Sequence, residues 1–448
     1  MTTVAEVRLW GRRVGAIALE EGEQVSSFEY DPAFRQSGIQ LSPLMMPLGD
    51  RVYRFPQLSR ETFLGLPGML ADSLPDRFGN AVIDAWLASQ GRAPGSLNPI
   101  ERLCYTGQRG MGALEFEPAI GPRQGPGAEV EVAELVRLAS EILTTREQLQ
   151  TSFASSSRTE ALADILRVGT SAGGARAKAV IAWNPETGEV RSGQVEPGSG
   201  FEHWLLKFDG VSGNGDRDVL DALDGGGYGV IEYAYFRMAT QAGVRMSECR
   251  LLEEGGRRHF MTRRFDRDAD RKLHMQSLGA LAHLDYNMAR VNSYEQAFRA
   301  AQQLSLSGAE REQLFRRMVF NIVARNQDDH VKNISFLMDK SGKWSLAPAY
   351  DITYSYKPEG QWTSSHQMSV NQKRDHFTLQ DMEQGAKAAL LKRGRAATIL
   401  EEVTEAVSCW PEIARDAGIS RSVRDSIAKA HRLNVASQSR TARRSRGR

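Results

Sequence analysis

The chain has 448 residues, a length for two or three domains. Hydrophobic residues make up 41% and charged residues 25%, which excludes a disordered or collagen-like chain, and a formal charge of only +2 offers no global basic field for gripping nucleic acid. Three widely spaced cysteines (Cys104, Cys249, Cys409) indicate neither a disulfide framework nor a zinc site, no apolar run approaches the ~18 residues that span a membrane, and the N-terminus has no signal-peptide pattern, so a cytoplasmic protein is expected.

The first thirty residues predict a small antiparallel sheet. Val7-Arg-Leu-Trp10 and Val14-Gly-Ala-Ile-Ala18 flank the turn Gly11-Arg12-Arg13, and Val25-Ser-Ser-Phe-Glu-Tyr30 is a third strand. Leu41 to Leu48 is apolar but broken by two prolines, and is expected to be extended and packed. A helix follows from Asn80 to Ser89. Thr106-Gly-Gln-Arg-Gly-Met-Gly112 then leads into the strand Ala113-Leu-Glu-Phe116 and reads as a bare turn or, with its glycines beside an arginine, as an anion-binding loop. The Pro- and Gly-rich run from Pro118 to Gly127 reads as a linker or long loop, ahead of a helix from about Glu131 to Gln148.

Arg167 to Lys178 is rich in Gly, Ser, Thr and Ala and runs into the strand Ala179-Val-Ile-Ala-Trp183. Small residues around Gly173-Gly174 let backbone amides approach a phosphate, and Arg176 and Lys178 add positive charge; a plain hairpin turn is the alternative. In Trp204-Leu-Leu-Lys-Phe208, alternation puts Trp204, Leu206 and Phe208 on one face and Lys207 on the other. Such a lysine is an edge or snorkelling residue, or the lysine that holds nucleotide phosphates. Ile231 to Ala242 is an amphipathic helix ended by Gly243, and Glu232 in its first turn either pairs with Lys207 or stabilises the helix N-terminus. His259 to Arg267 reads as a strand and an exit loop joining two lobes. Lys387 to Arg395 is a basic helical stretch, and Arg440 to Arg448 a basic tail.

The most informative stretch is Met318 to Tyr354. Ser307-Gly-Ala-Glu310 is a capping-box signature, and Leu314, Phe315, Met318, Val319, Ile322 and Val323 recur at helical spacing, so a buried helix runs to about Asn326. It delivers Asp328 on a loop. Ile334 to Met338, the turn Asp339-Lys-Ser-Gly342 and Trp344-Ser-Leu346 form a hairpin that returns Asp351 to Asn333. The order Asp328, Asn333, Asp351 suits phosphoryl transfer, in which one carboxylate accepts the proton of an attacking hydroxyl while an amide and a second carboxylate hold magnesium. Protein kinases set these roles in this order.

These motifs resemble those of the HipA toxin kinases of bacterial toxin–antitoxin pairs. The resemblance rests on Gly169 to Lys178, Trp204 to Phe208, Arg264-Phe-Asp-Arg267, Asp328 to Asn333 and Ala347-Pro-Ala-Tyr-Asp-Ile352, with Leu41-Ser-Pro-Leu44 and Gly112 to Phe116 looking like that family's N-terminal subdomain. It implies an α+β, two-lobed protein-kinase-like fold with a β-rich N-terminal subdomain and a mainly helical C-terminal lobe. The expected domains are residues 1–118, a nucleotide-binding part at 119–265, a catalytic lobe at 266–435 and a disordered tail at 436–448. The implied activity is ATP- and Mg2+-dependent serine/threonine phosphorylation. Asp328 is then the catalytic base, Asn333 and Asp351 the metal ligands, and Lys207 the ATP lysine. Gly173, Gly174, Ala175, Arg176 and Lys178 form the phosphate loop, Arg263 and Phe265 flank the adenine, and His330, Lys332 and Tyr350 complete the ATP contacts. Ser171 matches the autophosphorylated serine, with Thr170 beside it. The implied partners are a HipB-like helix-turn-helix antitoxin, operator DNA bound through that complex, and a protein substrate such as an aminoacyl-tRNA synthetase, with no membrane. A small-molecule or lipid phosphotransferase and a non-catalytic, antitoxin-binding corepressor are the alternatives. Arg263 departs from an often acidic position, as do Ala172 and Ala177 from proline or glutamate.

Overall fold

The computed structural model describes residues 3–120, 131–144, 177–193, 198–211, 227–268 and 271–435. The chain divides into two compact units. The first comprises Met1–Gly215, Arg250–Gln276 and Met338–Gly342, and the second Asp216–Cys249, Ser277–Leu337 and Lys343–Arg448.

The first unit is β-rich. β1 (Thr3–Leu9), β2 (Arg12–Leu19), β3 (Ser27–Tyr30) and β4 (Leu114–Glu117) form an antiparallel sheet in the order β3-β2-β1-β4. Ala5, Val7 and Leu9 are buried on alternate positions of β1, which fixes its register. The β1–β2 turn is Trp10-Gly11, one residue earlier than expected, and both residues have positive φ (50° and 78°), the backbone of a tight hairpin turn. α1 (Arg77–Ser89) starts one turn earlier than its apolar pattern suggests, because Asp76 caps it by accepting from the Gly79 amide at 2.7 Å. α2 (Pro99–Thr106) has a complete Asn98/Glu101 capping box, and α3 is Val132–Thr144.

β5 (Lys178–Trp183), β6 (Val190–Ser192), β7 (Glu202–Lys207), β8 (Cys249–Glu254) and β9 (Arg257–Arg263) make a five-stranded sheet in the order β6-β5-β7-β9-β8. Ile181, Trp204, Leu206 and Met261 from this sheet join Phe78, Leu87, Tyr105 and Leu135 from the three helices in one hydrophobic core.

The glycine-rich loop at 106–112 does hold an anion, and that anion is the protein's own Asp266. The Gly112 amide donates to Asp266 Oδ2 at 2.7 Å, and Arg264 and Arg267 donate to the same oxygen at 2.7 and 2.6 Å. Both arginines also donate to Gly110 O. Gly112 has φ 77°, and a Cβ there would come within 3.0 Å of the Met275 amide nitrogen, so only glycine fits. Burial alone would raise the Asp266 pKa. The two guanidinium charges, the Arg264 hydrogen bond and the Gly112 amide outweigh it and hold the carboxyl far below its usual range.

The second unit is mainly helical. Its helices are α4 (Tyr228–Gln241), α5 (Tyr294–Gln303), α6 (Gly308–Val323), α7 (Leu379–Ala388), α8 (Arg395–Ser408), α9 (Trp410–Asp416) and α10 (Arg421–Ala430), and α6 packs on β11 (Trp344–Leu346), which forms a hairpin with β10 (Ser335–Met338). α4 packs on α8 and α9, and Tyr235 is fully buried there beside Trp410, its hydroxyl donating to Ala324 O at 2.7 Å. α4 starts three residues before its expected start, so Glu232 lies in the second turn, past the reach of a helix-terminus effect, and is 2% exposed. The basic stretch Lys387 to Arg395 is a junction, not a helix. α7 ends at Ala388, Leu390 turns left-handed (φ 55°), and Gly394 starts α8, whose Arg395 forks onto Glu312 at 2.7 and 3.0 Å.

Candidate active site

The site is built by the end of α6 and the hairpin after it. The Ser307/Glu310 capping box is present as the sequence predicts, and α6 buries Leu314, Phe315, Met318, Val319, Ile322 and Val323. The helix stops at Val323. Arg325 adopts φ 60° and reverses the chain, so residues 327–330 emerge as a loop before one 3-10 turn at Val331–Asn333. The β10–β11 hairpin turns at Gly342, whose amide donates to Asp339 O at 3.0 Å. Its return is fixed by Arg317, which donates to Ala347 O at 2.8 Å, and by Tyr350, whose hydroxyl donates to Lys332 O at 2.6 Å and meets Ser335 Oγ at 2.5 Å.

This folding brings His330, Asn333, Tyr350 and Asp351 around one small cavity, together with Asp329, Tyr294, Asn321, Asn326 and Arg317. Asn333 uses its amide Nδ2 to hold Asp328 O at 2.9 Å. Its amide oxygen is therefore the atom left for a cation. Asp351 has φ 51°, a conformation that costs a non-glycine residue on the order of 1–3 kcal/mol, and such strain is a mark of functional positions.

The two adjacent carboxylates differ completely in surroundings. The Asp328 side chain is 50% exposed and, among the described residues, its one ion-pair-range neighbour is the imidazole of His330, Nε2 at 3.8 Å. Asp329 is 3% exposed and fully engaged: Oδ2 accepts from Tyr294 at 2.8 Å and meets His366 Nδ1 at 2.8 Å, while Oδ1 accepts the Gln367 amide at 2.8 Å. A group that must take a proton from a substrate needs an open carboxylate, and of this pair only Asp328 offers one.

In the first unit, Lys178 and Lys207 face each other across the antiparallel β5–β7 pair, and both are buried. β7 is the middle strand of its sheet, so Lys207 is not an edge lysine; its Nζ lies 5.7 Å from the centre of the Phe260 ring. Lys178 Nζ is 3.4 Å from Asp76, which supplies a countercharge where two like charges oppose each other. Arg263 is exposed and pairs with Glu202 at 3.4 Å, Phe265 is half-buried, and the Arg264 amide donates to His203 O at 2.9 Å. Ser171, Gly173, Gly174, Ala175 and Arg176, with Thr170, lie outside the described residues.

Several residues at the site escape the sequence reading. Arg317 and Asn321 sit one helical turn apart within the buried face of α6, 2% and 5% exposed. Burial pushes the Arg317 guanidinium down to about 10, and its Nε and NH1 find no hydrogen-bond partner among the described residues. Asn321 bridges Asn326 (3.0 Å) to the Tyr294 hydroxyl (3.0 Å), which continues to Asp329. Two polar residues interrupting an apolar helical face were the available signal. His366 and Arg432 had none, because they reach Asp329 only through the tertiary fold.

Two family models match the chain: "HipA N-terminal domain" over residues 5–117 and "HipA-like C-terminal domain" over 170–410. The chain is similar to a Haemophilus influenzae protein described as "Putative kinase", 28% identical over 143 residues, a match spanning 29% of this chain and 42% of that protein. Among solved structures it is similar to HipA of Shewanella oneidensis MR-1, solved with HipB and its operator DNA, at a TM-score of 0.61 and 16% identity over 95% of this chain and 94% of that one. The Helicobacter pylori proinflammatory kinase CtkA aligns at a TM-score of 0.34 and 13% identity over 52% of this chain and 89% of that one. The family models span more than half of the sequence, and the α+β architecture, β-rich toward the N-terminus and helical toward the C-terminus, is shared with a HipA structure: this chain belongs to the HipA family.

Proposed function

We propose that the protein is an ATP-dependent serine/threonine protein kinase and the toxin of a toxin–antitoxin pair. The observation that carries this reading is the split between the two carboxylates of the 327–333 loop. Asp329 is consumed in holding the loop, Asp328 is open, and Asn333 and Asp351 line one cavity beside it.

Asp328 orients the acceptor hydroxyl and takes its proton. Asn333 and Asp351 provide the hard oxygen donors Mg2+ prefers, and such sites usually need only one or two carboxylates besides substrate phosphate and water. Bound Mg-ATP supplies the transferable phosphoryl group and the charge neutralisation that phosphoryl transfer requires. Lys207 fixes the phosphates from the middle of the sheet, and Lys178, Gly173, Gly174, Ala175 and Arg176 are the other phosphate-binding residues of this reading. Arg263, Phe265, His330, Lys332 and Tyr350 complete the nucleotide contacts. A phosphate on Ser171, about −2 in charge, would repel the phosphates of ATP from that loop and inactivate the enzyme. The HipA–HipB–operator complex supports a HipB-like antitoxin and operator DNA as partners, and a translation protein such as an aminoacyl-tRNA synthetase is the substrate class.

The test is intact-mass analysis and phosphopeptide mapping after incubation with Mg-ATP, wild type beside Asp328→Ala. The expected outcome is one phosphate at Ser171 or Thr170 in wild type only, with ATP binding retained by the variant. A protein that starts unmodified, binds ATP and gains no phosphate would count against the reading.

A further inference from the structure

Asp329 is the start of a buried chain of polar groups that leaves the catalytic loop and ends far along the sequence. His366 meets Asp329 with Nδ1 and Arg432 NH1 with Nε2, each at 2.8 Å, and His366 is 0% exposed. A guanidinium can only donate. Nε2 must therefore accept from Arg432, which leaves the ring proton on Nδ1, donated to Asp329. One tautomer alone satisfies both contacts.

Arg432 is itself held on every side. It donates to Ile322 O at 3.1 Å, to Gln327 Oε1 at 3.0 Å and to Asp375, and its amide donates to Val323 O at 2.8 Å. It thus grips both the end of α6 and the first residue of the 327–330 loop. Gln327 is fixed further by Arg325 at 2.9 Å and by its own bond to Thr363 O at 2.8 Å. Arg432 follows α10 and lies 22 residues beyond the end of the C-terminal family match at residue 410 (432 − 410).

We propose that Asp329, His366 and Arg432 form a positioning relay through which the segment after α10 sets the geometry of the catalytic loop. None of the three touches the reacting atoms. Asp329 pins the backbone beside Asp328, His366 fixes Asp329, and Arg432 fixes the tautomer of His366 while clamping Gln327. Histidine oriented by a carboxylate is a recurrent way of holding catalytic geometry, and a displacement of about 1 Å can cost on the order of 100-fold in rate.

The inference rests on the kinase reading, and the experiment separates the two. Initial rates of phosphate incorporation from γ-labelled ATP, into the protein itself and into casein, are measured for wild type, Arg432→Ala, Arg432→Lys, His366→Phe and His366→Asn. ATP affinity and melting temperature are measured on the same preparations. The expected result is a rate loss of about 10- to 100-fold in Arg432→Ala and His366→Phe, with ATP affinity within about twofold of wild type. Arg432→Lys, which keeps a donor for Nε2, and His366→Asn, whose amide still donates to Asp329, should recover part of the rate. Wild-type rates in the folded Ala and Phe variants would overturn the proposal. So would parallel loss of rate, ATP affinity and melting temperature without recovery in the conservative variants, since that describes structural support alone. Should wild type transfer no phosphate, the kinase reading fails and the relay is decided by two-bond proton–nitrogen correlation on histidine-labelled protein. An Nδ1–H tautomer at His366 in wild type, with Nε2 unprotonated, supports the relay, and an Nε2–H tautomer or a doubly protonated ring sinks it.

Discussion

Two adjacent aspartates show how little residue type says about role. Asp328 and Asp329 are indistinguishable as letters, yet one carboxylate is half in solvent and the other accepts three hydrogen bonds in the interior. The motif order singled out Asp328; in the structure the neighbouring Asp329 carboxylate is already taken by Tyr294, His366 and the Gln367 amide. Lys207 is a similar case. Alternation placed it opposite Trp204 and Leu206 but could not say whether its strand was an edge; the strand order makes it central, and Lys207 is buried. Lys207→Met is expected to weaken ATP binding at least about tenfold, about 1.4 kcal/mol. Calorimetric titration with ATP checks this, and unchanged affinity would remove Lys207 from the site.

At the scale of elements, α6 was the most legible piece of the chain because its signals are local. Its cap and its apolar period lie within seventeen residues, and both appear as read. The sequence could not show that Glu310 serves twice. Besides closing the capping box, its Oε1 accepts the Leu346 amide at 3.0 Å and so ties the start of α6 to β11. Ser307→Ala is expected to cost about 1 kcal/mol, the usual loss of a cap. Glu310→Ala should cost about 2 kcal/mol, because it also strands a backbone donor. Urea midpoints of the two variants test the ordering, and equal costs would mean that the Leu346 contact contributes nothing. The basic stretch at 387–395 was misread for the opposite reason. Its composition suits a helix, but the left-handed residues Leu390 and Gly394 end one helix and begin the next.

For the whole molecule, pattern alone gave the N-terminal strands and α6, while the division into a β-rich and a helical region came from the resemblance; at the buried ionic centre Arg264 and Arg267 are sequence neighbours of Asp266, but the Gly112 amide that completes it stands 154 residues away and left no local signal. That centre makes the first unit acid-sensitive. A carboxyl whose folded pKa is depressed contributes stability that is present above its ordinary value of 3.8 and is lost as pH falls through the lower folded value. Asp266→Asn leaves two buried guanidinium groups without their countercharge. It is expected to destabilise by about 3–5 kcal/mol at neutral pH. In thermal melts across pH, the gap from wild type should hold down to about pH 4 and narrow only below it. A gap that does not change with pH would show that Asp266 acts by shape and not by charge.

The same centre bears on how such a protein could have been assembled. Family models end the N-terminal domain at residue 117. Yet the amide and carbonyls of Gly110 and Gly112 complete the coordination of Asp266, Arg264 and Arg267, and Asp76 answers the charge of Lys178. A boundary visible to sequence comparison thus passes through shared ion pairs and a shared core. The two stretches are not interchangeable cassettes: a graft from a distant relative would bring its own glycine loop against a foreign arginine pair, so the halves are bound to drift through sequence space together.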